Sequence, residues 1–266
     1  MRSEHVPRFP RTGIIIPTLG TRLSLLKQCL NSTRHSGKVH VIIVAPANSS
    51  LSNEDFREMI DLVVEDPGTG LADAINAGIS ALPDTIEFCS WIGDDDLLEP
   101  DSISVCEAIL DSDSEAVMVF GRCKYITSDG ELIGLNKSGQ WAVPLLRIGP
   151  CLIPQPGSLF RRKAFDEIGG LDCKYGWAFD FDLFIRLSKI GKLVHTKRAL
   201  ACFRWHSDSL TVGQRRNSVR EASLVRRAHL PKWLVLASFF WEIPVKFFTL
   251  HAGRLVAYKA SKNLGH

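Results

Sequence analysis

Short apolar runs alternate with helical patterns through the first half of the chain. The runs are rich in Ile, Val, Leu and Phe and are typical of buried strands. They occupy residues 13–16, 39–44, 62–64, 88–92 and 117–125. Apolar residues at helical spacing lie between them and predict helices over 22–34, 71–81 and 101–110. Because strands that alternate with helices usually pair in parallel, we predict an α/β, Rossmann-like fold with a mainly parallel sheet and flanking helices.

The second half of the pattern is less regular. Residues 126–157 are rich in glycine and proline and predict a hairpin followed by a substrate-facing loop. Further periodic segments follow and predict a strand at 158–161, helices at 163–168 and 182–190, and a strand at 192–203. The α/β pattern therefore extends to about residue 210.

Charge is divided unevenly along the chain. From Arg186 onward there are 16 Lys and Arg against 3 Asp and Glu, whereas the first 185 residues hold 16 basic and 26 acidic side chains. A basic C-terminal third on an acidic body indicates an anionic partner for that third. After residue 211 a basic helical segment precedes a block of Trp, Phe and Leu in which charges interrupt every long apolar stretch. We expect helices at 212–260 that lie on a membrane surface or, alternatively, cap the core or a second subunit.

The cysteines and the N-terminus indicate the compartment. The seven cysteines are scattered singly and form no C-x-x-C pair, which argues against a zinc ribbon or a thioredoxin-type site. Several lie inside apolar runs, as reduced core cysteines do. The first ten residues contain charges and prolines but no apolar stretch, so we expect no secretory signal and a cytoplasmic protein.

Three adjacent acids follow the apolar run that ends at Ile92. Gly93 comes next, and then Asp94, Asp95 and Asp96. Adjacent carboxylates repel one another unless a cation or solvent neutralises them. At the carboxyl end of a strand they would lie where α/β proteins bind ligands, and Mg²⁺ usually takes one or two carboxylates together with substrate phosphates. We predict a divalent-metal site for a phosphorylated ligand; an acidic turn that caps the next helix is the alternative.

Three segments, in this order and spacing, resemble the family 2 glycosyltransferases, which have the GT-A fold. They are Ile14 to Thr18, Gly70 to Ile79 with Trp91 to Pro100, and Gln155 to Arg162 continuing through Gly169 to Leu187. The resemblance covers about 13–210. It implies a GT-A domain at 12–211 with a helical extension at 212–266. The implied activity is transfer of a sugar from a nucleotide-sugar donor to a saccharide or lipid-linked acceptor in cell-surface polysaccharide synthesis. The transfer depends on a metal and inverts the anomeric centre. Nucleic acid is not expected as a partner.

The resemblance also assigns the central chemistry. It places Asp95 and Asp96 on the carboxylates that hold Mn²⁺ or Mg²⁺ against the donor diphosphate. Many relatives have Asp-x-Asp-Asp here, so Gly93 replaces the first acid and Asp94 is a third candidate. Asp180 matches the family's catalytic base, which takes the proton of the attacking acceptor hydroxyl. The alternative for Asp180 is a helix N-cap.

The remaining site residues follow from the same resemblance. Arg204 and His206 match an Arg-x-His segment, with His206 as a metal ligand or diphosphate contact and Arg204 as a diphosphate clamp. The implied nucleotide-sugar contacts are Pro17, Thr18, Asp66, Gly70, Asp73, Asn76, Asp94 and Arg204. The implied acceptor-side residues are Gln155, Trp177 and Asp182, and Asp182 is also a candidate helix cap. The aspartate with which relatives read uracil is absent from 45–50, so UDP-, GDP- and dTDP-sugars all stay open as donors.

Two other functions stay open. A nucleotidyltransferase has a glycine-rich N-terminal loop with a basic residue, for which residues 18–22 are a poor match. A non-catalytic nucleotide- or nucleic-acid-binding relative would use the arginines at 215–227. The aromatic residues of that region cluster in one block and do not alternate with the basic residues as stacking platforms, which argues against nucleic acid.

Overall fold

The computed structural model describes residues 9–49, 51, 58–205, 215–247 and 249. Its strands are β1 Thr12–Pro17, β2 Val39–Ala45, β3 Leu62–Glu65, β4 Phe88–Trp91, β5 Leu97–Leu98, β6 Ala116–Ile126, β7 Leu132–Asn136, β8 Leu159–Arg161 and β9 Lys192–Arg204. Its helices are α1 Leu23–Ser36, α2 Leu71–Ser80, α3 Ser102–Ser112, α4 Ala142–Leu145, α5 Arg162–Glu167, α6 Phe179–Ile190, α7 Arg215–His229 and α8 Lys232–Ala237. A further helical run covers 239–247.

The strands form one nine-stranded sheet in the order β3-β2-β1-β4-β8-β6-β9-β5, with β7 paired to β6. β1 lies between β2 and β4 and is parallel to both, with Ile15 opposite Ile42 and Trp91. The carboxyl ends of β1 to β4 therefore meet at one edge. Beyond β4 the sheet is mixed, because β8 runs antiparallel to both β4 and β6. The predicted α/β fold with flanking helices is confirmed, as is the hairpin in the middle of the chain, formed by β6 and β7.

Each face of the sheet carries its own core. Successive side chains of a strand point to opposite faces, so Ile15 joins one core with residues of α2, α5 and α6. Ile14 and Ile16 join the other core with residues of α1 and α3. α2 approaches the sheet closely at Gly78, where an added Cβ would lie 2.5 Å from Ile15 Cγ2 and 2.8 Å from Val44 Cγ2. The absence of a side chain at Gly78 thus lets α2 pack closely on β1 and β2.

α6 begins at Phe179, three residues before the predicted start. Asp180 and Asp182 therefore both lie in the first helical turn, and Ala178 occupies the N-cap position. Phe179 and Phe181 are buried, which explains the earlier start because this turn contributes to the core. The alternative interpretation of Asp180 as the helix N-cap is wrong.

A buried ion pair joins the C-terminal helices to each other, and its arginine also reaches the sheet domain. Arg226 of α7 is 2% exposed and bonds both carboxylate oxygens of Glu242, each at 2.7 Å. Arg226 Nη1 also donates to Gly149 O at 3.1 Å. One side of the extension is thus fastened to the core. Among the helices of the described residues, none has the length and apolarity needed to cross a bilayer.

Candidate active site

The acidic loop leaves the sheet at the carboxyl end of β4, beside β1. The amide of Ile92 still pairs with Ile15 O at 3.0 Å, and Asp96 N then bonds Gly93 O at 3.1 Å to close a tight turn. An added Cβ at Gly93 would lie 2.9 Å from Asp95 Oδ1. The turn therefore places the carboxylates so close to residue 93 that a side chain there would displace them, which accounts for the glycine at the position where relatives have an acid.

Asp94 and Asp95 are held from the β1–α1 turn. Thr18 Oγ1 donates to Asp94 Oδ2 at 2.5 Å. Arg22 forms ion pairs with both acids, through Nη2 to Asp94 Oδ1 and through Nη1 to Asp95 Oδ2 at 2.7 Å. Thr18 is 6% exposed, so its hydroxyl serves to orient Asp94 inside the fold. In this structure Arg22 supplies positive charge to the acidic loop.

The acidic loop still has an excess of buried negative charge. Burial raises the pKa of Asp94, and Thr18 and Arg22 oppose that rise only in part. Burial and the neighbouring Asp95 raise the pKa of Asp96 well above its usual range. A divalent cation would favour the ionised forms of these carboxyl groups.

The donor set fits a cation that is shared with a phosphorylated ligand. The described residues contain no group of three or more His, Cys, Asp and Glu side chains arranged as a complete metal site. Mg²⁺ normally needs one or two carboxylates and completes its shell with water and substrate phosphates. Asp95 and Asp96 are sufficient for that mode of binding. His206, the other predicted ligand, lies outside the described residues.

Arg204 braces the acidic loop with its guanidinium group. The side chain is 2% exposed, and Nε donates to Asp95 O at 2.8 Å. Nη1 donates to Ser128 O at 2.6 Å and Nη2 to Gln28 Oε1 at 3.2 Å. The backbone amide of Arg204 also donates to Asp96 Oδ1 at 2.8 Å. The diphosphate clamp stays a prediction, since in this structure the guanidinium donors bind protein oxygens.

Several predicted nucleotide contacts lie at the same edge of the sheet. Pro17 ends β1, and the amide of Thr18 donates to Val44 O at 2.9 Å. Asp66 follows β3 directly, and its carboxylate accepts the Gly68 amide at 2.9 Å. The loop then reaches Gly70, where φ is 137°, a conformation that favours glycine. Nucleotide binding at these positions stays a prediction, as it does for Asp73 in the first turn of α2.

Asn76 has a structural task. Its Nδ2 donates to Leu171 O at 2.9 Å and its Oδ1 accepts the Leu171 amide at 3.0 Å. The adjacent Gly170 has φ of 70°, and a Cβ there would lie 2.9 Å from Asn76 Oδ1. Both ends of the amide therefore hold the turn after α5. The nucleotide-sugar contact by Asn76 stays a prediction beside this structural role.

Asp180 lies near the same strand end as the acidic loop. Its neighbour Phe179 packs on Trp91, the last residue of β4, with ring centroids 6.2 Å apart. Gln155 Nε2 donates to Trp91 O at 2.7 Å, so this predicted acceptor-side residue also lies at the strand end. The carboxylate of Asp180 accepts the Phe181 amide at 2.7 Å. Burial raises the pKa of Asp180 to about 6, which suits a base that must be ionised near neutral pH.

Asp182 points to another part of the molecule. It is 2% exposed and accepts Arg186 Nε at 2.6 Å and His229 Nε2 at 2.8 Å. Burial alone would raise the pKa of Asp182, but the bonds with His229 and Arg186 hold it below its usual value. Asp182 thus joins α6 to α7. Its acceptor-side role stays a prediction, since in this structure the carboxylate is buried and binds Arg186 and His229.

Glu221 of α7 is a site residue that the sequence analysis missed. Its carboxylate accepts the backbone amides of Gly176, Trp177 and Ala178 at 2.9, 2.6 and 2.7 Å. These amides precede the first turn of α6, so the C-terminal extension supports the segment that carries Asp180. The ring of Trp177 is 37% exposed, which leaves its acceptor-side role a prediction. The sequence signal that could have indicated Glu221 is its position as the single acid in a helix with five arginines.

Comparisons with known proteins show which sequences and structures the chain is similar to. No protein-family model matches the chain. Over 80% of its length the chain is 23% identical to a chondroitin synthase from Pasteurella multocida (strain Pm70), and it spans 22% of that relative's length. This similarity supports the resemblance to the family 2 glycosyltransferases. A hyaluronan synthase from Pasteurella multocida is equally similar, at 23% identity over 80% of the chain and 22% of the relative.

The fold of the chain is also found in solved structures. A mannosyltransferase from Pyrobaculum calidifontis, solved with GDP-Man and Mn²⁺, superposes with a TM-score of 0.62 at 15% identity over 96% of this chain and 76% of that one. The S. aureus protein TarS superposes with a TM-score of 0.60 at 13% identity over 87% and 71% of the two chains. The predicted GT-A fold is confirmed. Because the chain spans about a fifth of the length of its curated relatives, its own activity is a matter for proposal.

Proposed function

We propose that this protein transfers a sugar from a nucleotide-sugar to a hydroxyl group of a saccharide or lipid-linked acceptor. The transfer is metal-dependent, inverts the anomeric centre and serves cell-surface polysaccharide synthesis. One observation carries the proposal: the first turn of α6, which contains Asp180, packs through Phe179 on Trp91 at the end of β4, and the buried acidic loop leaves the sheet at that strand end. The names of the curated relatives, which are polysaccharide synthases, support the same reaction class.

Each carboxylate has a distinct task in this reaction. Asp95 and Asp96 would hold Mn²⁺ or Mg²⁺ together with the donor diphosphate, and the bound cation would supply positive charge for the diphosphate as it leaves. Thr18 fixes the orientation of Asp94, the third carboxylate of the acidic loop. Asp180 takes the proton from the acceptor hydroxyl as its oxygen attacks the anomeric carbon. Attack from the side opposite the diphosphate inverts that carbon.

The nucleotide-sugar donor would bind to the loops at the ends of β1, β2 and β3. Thr18 follows β1, Asp66 follows β3 and Asp73 lies in the first turn of α2, and we propose these three as contacts to the nucleotide. Residues 45–49 carry no carboxylate that could read uracil. A structural neighbour was solved with GDP-Man, so GDP-sugars belong in the test beside UDP- and dTDP-sugars.

The test is a transfer assay on the full chain. UDP-, GDP- and dTDP-sugars are incubated with saccharide acceptors and Mn²⁺, and nucleoside diphosphate and glycosylated product are measured by mass spectrometry. We expect turnover with one donor class. Asp180→Asn should reduce kcat by about 10²- to 10⁴-fold while donor binding persists. Asp166→Asn, at an exposed position of α5, is the matched control and should keep full activity.

Three outcomes would contradict the proposal. Full activity of Asp180→Asn would exclude this carboxylate as the base. Release of pyrophosphate from a nucleoside triphosphate would favour a nucleotidyltransferase. Nucleoside diphosphate binding without turnover of any donor would favour a non-catalytic relative.

The proposal includes a location at the cytoplasmic face of a membrane, where lipid-linked acceptors would be accessible. Support comes from the exposed aromatic and aliphatic side chains on the C-terminal helices, of which Trp233 and Leu236 are 76% and 85% exposed. Exposed large apolar side chains also occur on the sheet domain, but they are spread along its whole length and are not grouped in one short segment.

A further inference from the structure

The C-terminal helices carry a continuous exposed apolar face. Its members are spaced by three or four residues along α8 and the 239–247 helix, so they lie on one side. Each is more than half exposed. The apolar face consists of Trp233, Leu236, Phe239, Phe240 and Ile243. Apolar surface of this kind, concentrated in one place, normally marks a site of interaction.

The orientation of this face is fixed by the buried side of the same helices. Ser238 and Glu242 are 1% and 5% exposed. Glu242 accepts bonds from Arg226 and, at 2.6 Å, from the hydroxyl of Ser223. The helices therefore direct an ion pair inward and large apolar side chains outward, the reverse of an ordinary surface helix. Rotation to bury the apolar face would break the buried ion pair.

A cationic cavity lies beside the apolar face. It has a volume of about 250 Å³, opens to solvent and lies between α7 and the 239–247 helix. Its lining consists of Arg216, Arg220, Lys246 and Val219. Three basic side chains border this surface cavity, and such a cluster of cations attracts an anionic phosphate group.

We propose that the apolar face inserts into an anionic lipid bilayer while a lipid phosphate occupies the cavity lined by Arg216, Arg220 and Lys246. Aromatic and aliphatic side chains flanked by cations are the combination that holds a helix in the interface of a membrane. Attraction of basic side chains to anionic headgroups adds to the apolar term. The inference rests on the proposed function, because a lipid-linked acceptor would be found at a membrane. Binding of the protein to the membrane requires no catalysis.

Charge decides between a bilayer and a second copy of the chain. A two-fold dimer brings the same patch of each copy together. The apolar face adjoins the cationic cavity, so a dimer through this face would bring the two sets of cations near each other. A bilayer with anionic headgroups has the complementary charge, and it accepts a protruding ridge without requiring a matching groove.

The experiment is vesicle flotation of the full chain. We expect the protein to float with phosphatidylcholine vesicles that contain phosphatidylglycerol, and much less with phosphatidylcholine alone. Leu236→Ser/Phe240→Ser should weaken flotation by about tenfold or more, because two exposed anchors are lost. Arg216→Gln/Arg220→Gln should remove the preference for phosphatidylglycerol. Leu132→Ser, at a comparably exposed position on β7, is the matched control and should float like the wild type.

The outcomes separate this inference from the proposed function. Turnover of the donor with a soluble acceptor, measured without vesicles, should be unchanged in Leu236→Ser/Phe240→Ser. Absence of wild-type flotation on anionic vesicles, or flotation unaffected by that double substitution, would overturn the inference while leaving transfer intact. Light scattering that shows a wild-type dimer and a monomeric Leu236→Ser/Phe240→Ser variant would assign the face to a second copy.

Discussion

Replacing Asp180 by asparagine should stabilise the protein at neutral pH while it removes the proposed base. Burial raises the pKa of Asp180 from 3.8 to about 6. The unfolded chain therefore releases this proton at lower pH than the folded chain does, and folding loses stability as pH rises from about 4 to about 6. Above pH 6 the loss is complete. At 1.36 kcal/mol for each pH unit of difference, it reaches about 2 kcal/mol at pH 5 and about 3 kcal/mol at pH 7.5.

Asparagine avoids this cost because it stays neutral, and its carbonyl oxygen can still accept the Phe181 amide. Urea unfolding of wild type and Asp180→Asn at pH 5 and pH 7.5 measures the difference directly. The gain in the variant should be larger at the higher pH. Asp182→Asn is the control with the opposite sign, since the pKa of Asp182 is held low by His229 and Arg186. A variant Asp180→Asn that is no more stable at pH 7.5, or whose gain does not depend on pH, would refute the reasoning.

Three further substitutions test the supports of the site. Glu221→Gln should lower kcat and move the acid limb of the kcat/KM profile to lower pH, because the charge of Glu221 contributes to the raised pKa of Asp180; an unmoved limb would contradict this. Arg22→Met should lower Tm in EDTA and enlarge the increase in Tm on adding Mn²⁺, since the acidic loop loses its cation; equal increases would count against it. Arg226→Met should cost about 3–5 kcal/mol in urea unfolding, and adding Glu242→Leu should recover much of the loss; no recovery would mean that the ion pair is not the cause.

The sequence allowed the parallel half of the sheet and the position of the acidic loop to be predicted. β1 and β2 are nearly continuous runs of buried apolar residues, which is how strands covered on both faces are recognised. The apolar run into Ile92 predicted that Asp94 to Asp96 would leave the sheet at a strand end. The local sequence pattern is sufficient for this prediction because the same short stretch of residues determines both the end of β4 and the start of the acidic loop.

Other features depend on contacts between distant parts of the chain. A guanidinium group binds a phosphate or backbone carbonyls with the same donors, so residue type could not show that Arg204 braces the acidic loop. The alternation of Phe and Asp from Phe179 to Asp182 resembles a strand pattern, which concealed the true start of α6. Glu221 meets the segment before α6 across more than forty positions, and no local pattern encodes that pairing.

The most direct test of the central claim is calorimetric titration of nucleoside diphosphates into the protein with Mn²⁺ or with EDTA. We expect one of UDP, GDP and dTDP to bind with Mn²⁺, and we expect that binding to be lost in EDTA and in the variant Asp96→Asn. Binding of equal strength in EDTA, or in Asp96→Asn, would contradict a metal held by the acidic loop.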